Sequence, residues 1–431
     1  MKARNLILII MDTLRADFES LCSIHGVQAG HFADLRKYAA LQPRARCGSF
    51  PTGPMRTDLL TGSLAFLRGE WALPRPGEQT LLSRCRDAGF HSCLVTDNYV
   101  AVIPRVGGLL VDLFDNVDFI RGAAADPWAT PDAALVRSCL ESDWIVPTRS
   151  PRFEAQFLAN STRLRAHGQS HVIQVFKSAT EQLHALEKHE RYVLWVDSFA
   201  CHEPWVSAEE LPVNGDRPAL PFFPAYESNR RFPEEYLSNL RNQYARRIGE
   251  TSDAMGEFVE AVAPAMSSGD TALMVLSDHG FLFGEYGFVG KPAETPLPPQ
   301  LHDLVCWLSP HFEEHLPPST LGVQPHILHD SVLSLLGLSR PNLNESELHI
   351  FGRNSPRSDF LAAADLEGLT VLQKGRGVKK PLSWIPWELL DASIPLVEHR
   401  NNCPSTSTLN AVRSYIRKGL SDWLDGFNKL L

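Results

Sequence analysis

"NLILIIMD", residues 5–12, is an unbroken apolar run closed by an aspartate. Alternation is missing, so neither face of the segment is meant for water, as in a strand of a parallel sheet covered on both sides. Three more runs have the same character: "HSCLVT" (His91 to Thr96), "YVLWV" (Tyr192 to Val196) and "TALMVL" (Thr271 to Leu276). Each leads into an aspartate, Asp97, Asp197 and Asp278, as the first leads into Asp12. Ligands of open α/β sheets bind outside the carboxyl ends of the strands. Four carboxylates at four strand exits therefore form a candidate site.

Between these runs the pattern turns helical. Pro76 to Ala88 reads as one helix stopped by Gly89, and Glu235 to Val262 as one long amphipathic helix. Residues 121–175 mix Pro, Trp, Arg and Ser and read as an insertion of loops and short helices, and 214–233 as an ordered surface loop. From about Phe351 the apolar runs become short and alternating, as in a small antiparallel sheet, and 408–431 carries an amphipathic helical stripe suited to packing. The expected fold is α/β: a large, mostly parallel mixed sheet flanked by helices over 1–350, with a small C-terminal antiparallel subdomain over 351–431.

Composition narrows the function. The 431 residues are 44% apolar and 21% charged with a net charge of −9, and no basic cluster suited to nucleic acid is present. The apolar run at 6–11 is too short for a signal-peptide core, and no stretch has the length of a membrane span. Eight cysteines without framework or metal spacing suggest reduced thiols and a cytoplasmic setting.

The chemistry centres on "FPTGPMRTDLLTG", residues 50–62. A Thr hydroxyl holds its proton too tightly to attack at neutral pH, unless a metal ion or an adjacent base relieves it of that proton. Asp12 and the "SDHG" at Ser277–Gly280 supply two carboxylates and an imidazole. Asp12, Thr52, Asp278 and His279 would make a mononuclear site of three oxygens and one nitrogen. The nitrogen favours Zn²⁺ or Mn²⁺ over Mg²⁺, and Ca²⁺ also fits. Each motif alone has a plainer reading: an Asp after a strand commonly caps a helix, and "SDHG" alone is a turn. Their order, each at a strand exit, gives them weight together.

These motifs resemble the sulfatase branch of the alkaline phosphatase superfamily. The first strand is followed by a "TLRAD"-type run, Asp12 to Asp17. Thr52-Gly53-Pro54-Met55-Arg56 and Leu59-Leu60-Thr61-Gly62 match the nucleophile motif, Asp197 with His202-Glu203-Pro204 a third marker, and Ser277 to Gly287 with Lys291 a fourth. "WELLD" at Trp387 and the later "EHRNN" resemble the closing strand and turn. The resemblance implies that Arg56 holds the nucleophile and neutralises developing charge. It also implies that His202 and Lys291 contact the leaving group or the non-bridging oxygens.

The departures bear on substrate. Family sulfatases convert the motif's Cys or Ser to an aldehyde hydrate. Thr52 cannot be processed in that way, and Cys47 lacks the Pro and Arg at the required spacing. Thr is the nucleophile of related phosphodiesterases and phosphoryl transferases. Thr13 stands where many sulfatases carry a further metal-binding Asp, Cys201 replaces the His of the two-metal phosphatases, and Asp97-Asn98-Tyr99 stands where many sulfatases carry a Lys. The expectation is a one-metal hydrolase of small or glycan-linked anionic esters, favouring phosphodiester, phosphonate or phosphomonoester. A true sulfatase is the alternative, and a phosphoryl transferase or a non-catalytic anion binder lies beyond it.

Overall fold

The computed structural model describes residues 3–68, 73–103, 110–206, 220–292, 298–317 and 322–339, with strands at 349–353, 359–364, 368–374 and 383–386. Up to residue 310 the described strands are β1 (Asn5–Met11), β2 (Ala40–Leu41), β3 (His91–Thr96), β4 (Asn116–Phe119), β5 (Tyr192–Ser198), β6 (Glu227–Ser228), β7 (Thr271–Ser277), β8 (Leu282–Phe283), β9 (Phe288–Gly290) and β10 (Cys306–Leu308). Seven of them form the central sheet in the order β2-β10-β7-β1-β5-β3-β4. The five strands from β7 to β4 run parallel, and β10 pairs antiparallel to β7. β6, β9 and β8 make a small antiparallel sheet. This is the expected mixed α/β architecture.

Register decides what the strand ends present. Met11 lies opposite Ser277 on β7 and Ser198 on β5, so Asp12 and Asp278 leave two neighbouring strands side by side. Side chains alternate between faces along a strand. Leu8 and Ile10, Val193 and Trp195, and Met274 and Leu276 all pack into one apolar cluster. Asp12, Asp197 and Asp278 continue that alternation and share its face. Cys93 and Val95 pack into the cluster on the opposite face, and Asp97, two residues on, follows them. Asp97 accepts from His171 Nδ1 at 2.7 Å and from the Phe199 amide at 2.6 Å. The four strand-exit carboxylates therefore divide three to one.

Several sequence expectations change. Thr52 lies at the start of a helix, Thr52–Thr61, which Gly62 ends with φ 68°. Pro51 precedes it and Pro54 sits in its first turn, where a missing N–H costs nothing. Residues 121–175 are more helical than expected, with helices at Ala133–Leu140 and Pro151–Ala166 and the start of His171–Leu186. The long helix expected over 235–262 is two, Glu234–Ala254 and Gly256–Ser267, divided at Met255. The helix expected from Pro76 begins at Leu81, because Gly77 turns the chain at φ 77° and Thr80 supplies the cap. The described part of 214–233 is not wholly a surface loop: Phe223 and Phe232 are buried.

The C-terminal antiparallel sheet is present, with strands β11 (His349–Arg353), β12 (Asp359–Ala364), β13 (Gly368–Lys374) and β14 (Ser383–Pro386). Gly352 ties this sheet to the segment ahead of Thr52: its amide donates to the Gly48 carbonyl at 3.0 Å, and its carbonyl accepts from the Phe50 amide at 3.1 Å. The helix expected at 408–431 and the "WELLD" and "EHRNN" segments lie outside the described residues.

Candidate functional site

The helix Thr52–Thr61 lies on the face of the sheet toward which Asp12, Asp197 and Asp278 point. Its residues 52–60 are all buried. Asp58 fixes the chain around it by accepting from the Ser49 amide and hydroxyl and from the Ala65 amide, at 2.6–2.7 Å. Burial outweighs those donors and pushes the Asp58 carboxyl up to about 7. A side chain at Gly48 would strike Asp58, which explains the glycine there.

One turn into the helix, Arg56 uses all five of its N–H donors. Nε and Nη2 grip Asp197 at 2.6 and 2.7 Å, Nη1 reaches Asp278 at 2.7 Å and the Thr52 carbonyl at 2.9 Å, and Nη2 also reaches Asp12 at 3.3 Å. It thereby fixes the backbone of Thr52 and ties together the three carboxylates. Asn98 adds a contact to Asp197 at 3.2 Å.

Asp12, Asp278 and His279 offer ligand atoms that all lie within 4.8 Å of one another, fully buried. His279 Nδ1 faces the Gly280 carbonyl at 3.0 Å. A carbonyl can only accept, so Nδ1 carries the proton and the Nε2 lone pair faces the cluster. That lone pair is 3.3 Å from Thr52 Oγ1, 3.5 Å from Asp278 and 4.0 Å from Asp12. A tetrahedral ion with bonds of about 2.0–2.1 Å separates its ligands by about 3.3–3.4 Å, so the Thr52 and Asp278 spacings already match. Charge agrees with geometry. Three buried carboxylates against one guanidinium leave a surplus of two negative charges, which a divalent cation neutralises. Burial and the neighbouring Asp278 push Asp12 well up. Against the cost of burial, His279 and Arg56 hold Asp278 down. Burial lowers His279 to about 4, keeping it neutral and able to ligate. These residues fit a metal ion.

The "TLRAD" run is the frame around this cluster. The Thr13 amide donates to Asp278 at 2.9 Å and its hydroxyl to Asp12 at 2.8 Å, from a backbone held at φ 65°. The Tyr244 hydroxyl bonds the Thr13 carbonyl and the Arg15 amide, and buried Arg15 spans to the Phe281 carbonyl and Glu285. A side chain at Gly280 would strike the Gln300 carbonyl.

Beside the cluster stand Lys291 and His202. Lys291 Nζ lies 3.4 Å from Thr13 Oγ1, 3.2 Å from Glu203 and 3.5 Å from His202 Nε2. The His202 ring stacks on Phe199 at 4.3 Å, with Nδ1 on the Glu203 carbonyl at 2.6 Å. Burial pushes His202 down to about 3. Burial pushes the Glu203 carboxyl up, but His202, Lys291 and Arg149 outweigh it and hold it at about 2. Glu203 also accepts from the Tyr226 hydroxyl.

The seven residues given catalytic or metal-binding roles in the sequence, Asp12, Thr52, Arg56, His202, Asp278, His279 and Lys291, thus come together, while Asp97 stays apart. Asp197 serves Arg56. Thr13 and Glu203 sit inside motifs that the sequence displays without showing their tasks. Tyr226 and Arg149 carried no sequence signal.

The profile of the Sulfatase family matches residues 4–337. A comparison with curated proteins gives no significant match. Among solved structures, a phosphonate monoester hydrolase from Silicibacter pomeroyi superposes with a TM-score of 0.60 at 14% identity, covering 97% of this chain and 96% of its own. A 2-O GAG sulfatase, BT1596, gives 0.54 at 13%, with 99% and 92% covered. The C-terminal periplasmic domain of EcEptC from Escherichia coli, in complex with Zn, gives 0.54 at 12%, with 93% and 96% covered. At these identities the likeness is one of fold.

Proposed function

Because the chain belongs to the sulfatase family, we propose that it is a metal-dependent hydrolase of small or glycan-linked anionic esters, with Thr52 as nucleophile and a preference for phosphorus over sulfur. The observation that carries this reading is the Thr52 hydroxyl 3.3 Å from His279 Nε2, on the edge of a buried Asp12–Asp278–His279 cluster. A divalent cation held there by Asp12, Asp278, His279 and Thr52, Zn²⁺ or Mn²⁺ by its nitrogen ligand and with Ca²⁺ also compatible, would lower the proton affinity of the hydroxyl and offset charge on the transferring group. The zinc in the similarly folded EcEptC domain supports that choice.

The residues divide the work. Thr52 Oγ1 attacks in line, forming its bond to phosphorus as the bond to the ester oxygen breaks. The N-terminus of its helix points its positive end at the group being transferred. Arg56 holds the Thr52 carbonyl and so the angle of the nucleophile. Of the pair beside the cluster, Lys291 has protons to donate, to the non-bridging or departing oxygens, while neutral His202 offers Nε2 and orients it. Water then attacks phosphorus and the bond to Oγ1 breaks. An aldehyde hydrate can expel sulfate by breaking its own C–O bond. Threonine has no second hydroxyl, so its intermediate must be hydrolysed at the central atom, a route open to phosphoryl groups and slow for sulfated Thr.

Among the described residues no helix is long and apolar enough to cross a membrane. The seven described cysteines are all buried, which suits the reducing, cytoplasmic location we propose.

The test pairs nitrophenyl phosphate diesters and phosphonates with the matching sulfates, and searches quenched reactions for a phosphoryl adduct on Thr52 by mass spectrometry. Faster turnover of the phosphorus esters is expected. Thr52→Ala should lose the adduct and about 10³-fold or more in kcat/KM without losing the fold. Sustained turnover of the sulfate with little of the diester would overturn the assignment, as would near-normal turnover by Thr52→Ala.

A further inference from the structure

Arg149 is a cation to which the hydrolytic chemistry gives no task. It comes from the stretch read as an insertion, and its position is fixed by pairing with a distant segment. The Arg149 amide donates to the Phe223 carbonyl at 2.8 Å and the Ala225 amide to the Pro147 carbonyl at 3.0 Å, while Thr148 and Pro224 form an antiparallel bridge. Buried Glu154 secures the junction by accepting from the Phe222 and Phe223 amides and the Thr148 hydroxyl. The guanidinium lies over the rings of Tyr226, at 4.5 Å, and Phe153, at 5.6 Å. Nη1 donates to the Tyr226 hydroxyl at 2.7 Å. Among the described residues no hydrogen bond occupies Nε or Nη2. About 40% of the side-chain surface is open to solvent.

Glu203 does not consume this charge. Its closest cation is Lys291 at 3.2 Å, and Tyr226 donates to it as well. Arg149 stands at 3.6 Å, outside the 2.7–2.9 Å of a charge-assisted bond. Two cations face one carboxylate, so the group carries a net positive charge. Lys291 also views the Tyr226 ring, at 5.6 Å, so the two cations are linked through the same Tyr226–Glu203 pair. Lys291 faces inward to Thr13 and the cluster, and Arg149 outward to solvent. An ester with its transferring group at Thr52 would extend its alcohol portion past Lys291 toward Arg149.

We propose that Arg149 is a specificity-determining residue that binds an oxyanion, a carboxylate or a second phosphate or sulfate, on the alcohol portion of the ester. A held guanidinium with free donors on one edge suits such a group, since planar forked donors match paired oxygens. The inference rests on the reading of Thr52 and its cluster as the seat of the transferring group.

Binding tests it without requiring turnover. The probes are phenylphosphonate and a set of analogues carrying a carboxylate at increasing reach (meta, para and para-acetate), titrated calorimetrically into the metal-loaded protein. The wild type should bind at least one carboxylated probe about tenfold or more tighter than phenylphosphonate, the effect of a hydrogen bond to a charged group. Arg149→Ala should bring that ratio near one, and Arg149→Lys should keep part of it. If no carboxylated probe gains affinity in the wild type, or if Arg149→Ala keeps the preference, the proposal is overturned. A protein that shows the preference but turns over no ester sustains Arg149 as an anion seat and removes the hydrolase reading. Ester turnover without the preference does the reverse.

Discussion

The floor of the site and its mouth are built from different parts of the molecule. The floor is Asp12, Asp278 and His279 from the ends of adjacent strands, with Arg56 driven into them from one helix; all four are fully buried. Sheet register sets their spacing, so shifting one of them means shifting a strand. The mouth is Lys291, His202, Glu203, Tyr226 and Arg149, drawn from turns and loops that meet only in the folded chain. It ends in a guanidinium open to water. The floor holds a surplus of negative charge and the mouth a surplus of positive charge. A rigid, anionic floor suits a task common to many substrates, holding a cation and a nucleophile. A cationic mouth drawn from turns and loops suits choosing among anionic substrates.

The largest effects should come from breaking the floor. Chelation, or Asp278→Asn, is expected to abolish turnover. The ion stabilises only the folded chain, so chelation should also lower the melting temperature, by about 2.7 kcal/mol of stability when the free ion had stood at 100 times its Kd. Calorimetry with and without chelator reads this, and full activity in metal-free protein would remove the distinction between floor and mouth.

Between floor and mouth, Lys291→Ala should lower kcat by about 10²–10³, the effect of deleting one preorganised donor to the developing charge. Its loss should be smaller for esters with acidic leaving alcohols, which need less help to depart. An equal loss across a leaving-group series would confine Lys291 to the non-bridging oxygens.

The smallest effect is on stability at mild acid pH. Burial lowers His202 to about 3, and His326, buried elsewhere, to about 4. Between the ordinary histidine value near 6.5 and these values, the unfolded chain binds protons that the folded one refuses. The two histidines should therefore contribute their full stability above about pH 6.5 and lose it as pH falls toward 4, a slope that Asp58 and Glu154, both raised by burial to about 7, oppose over the same range. Denaturant titrations at pH 7, 5.5 and 4.5 check this. His202→Gln should flatten part of the slope, and an unchanged slope would mean that His202 titrates normally in the mouth.

The floor was open to a reader of the sequence, and of the mouth only His202 and Lys291 were. Unbroken apolar runs announce parallel strands, and an Asp after each marks the strand exits as a candidate site. Period-two alternation also explains why Asp97 turns away while Asp197 stays, although strand register had to be known first. The start of the helix at Thr52 was obscured by Pro51, Gly53 and Pro54, which signal a turn unless they fall at a helix N-terminus. Tyr226 and Arg149 depend on residues 147–149 meeting 223–225 across more than seventy positions. No local pattern encodes such a meeting, and Glu154, which secures it, looks like any acidic residue on a helix.

The pairing of Gly352 with Gly48 and Phe50 has a consequence for the order in which the chain is made. Synthesis runs from the N-terminus, and domains tend to acquire structure in that direction. Thr52 and every ligand of the cluster, up to His279, have left the ribosome long before residue 352. The segment that leads into Thr52 gains its last main-chain partners only when that late strand arrives. On the proposed reading of the site, a nascent chain holds the cluster residues before the segment that positions Thr52 is fully paired, and translation through residue 352 completes that pairing.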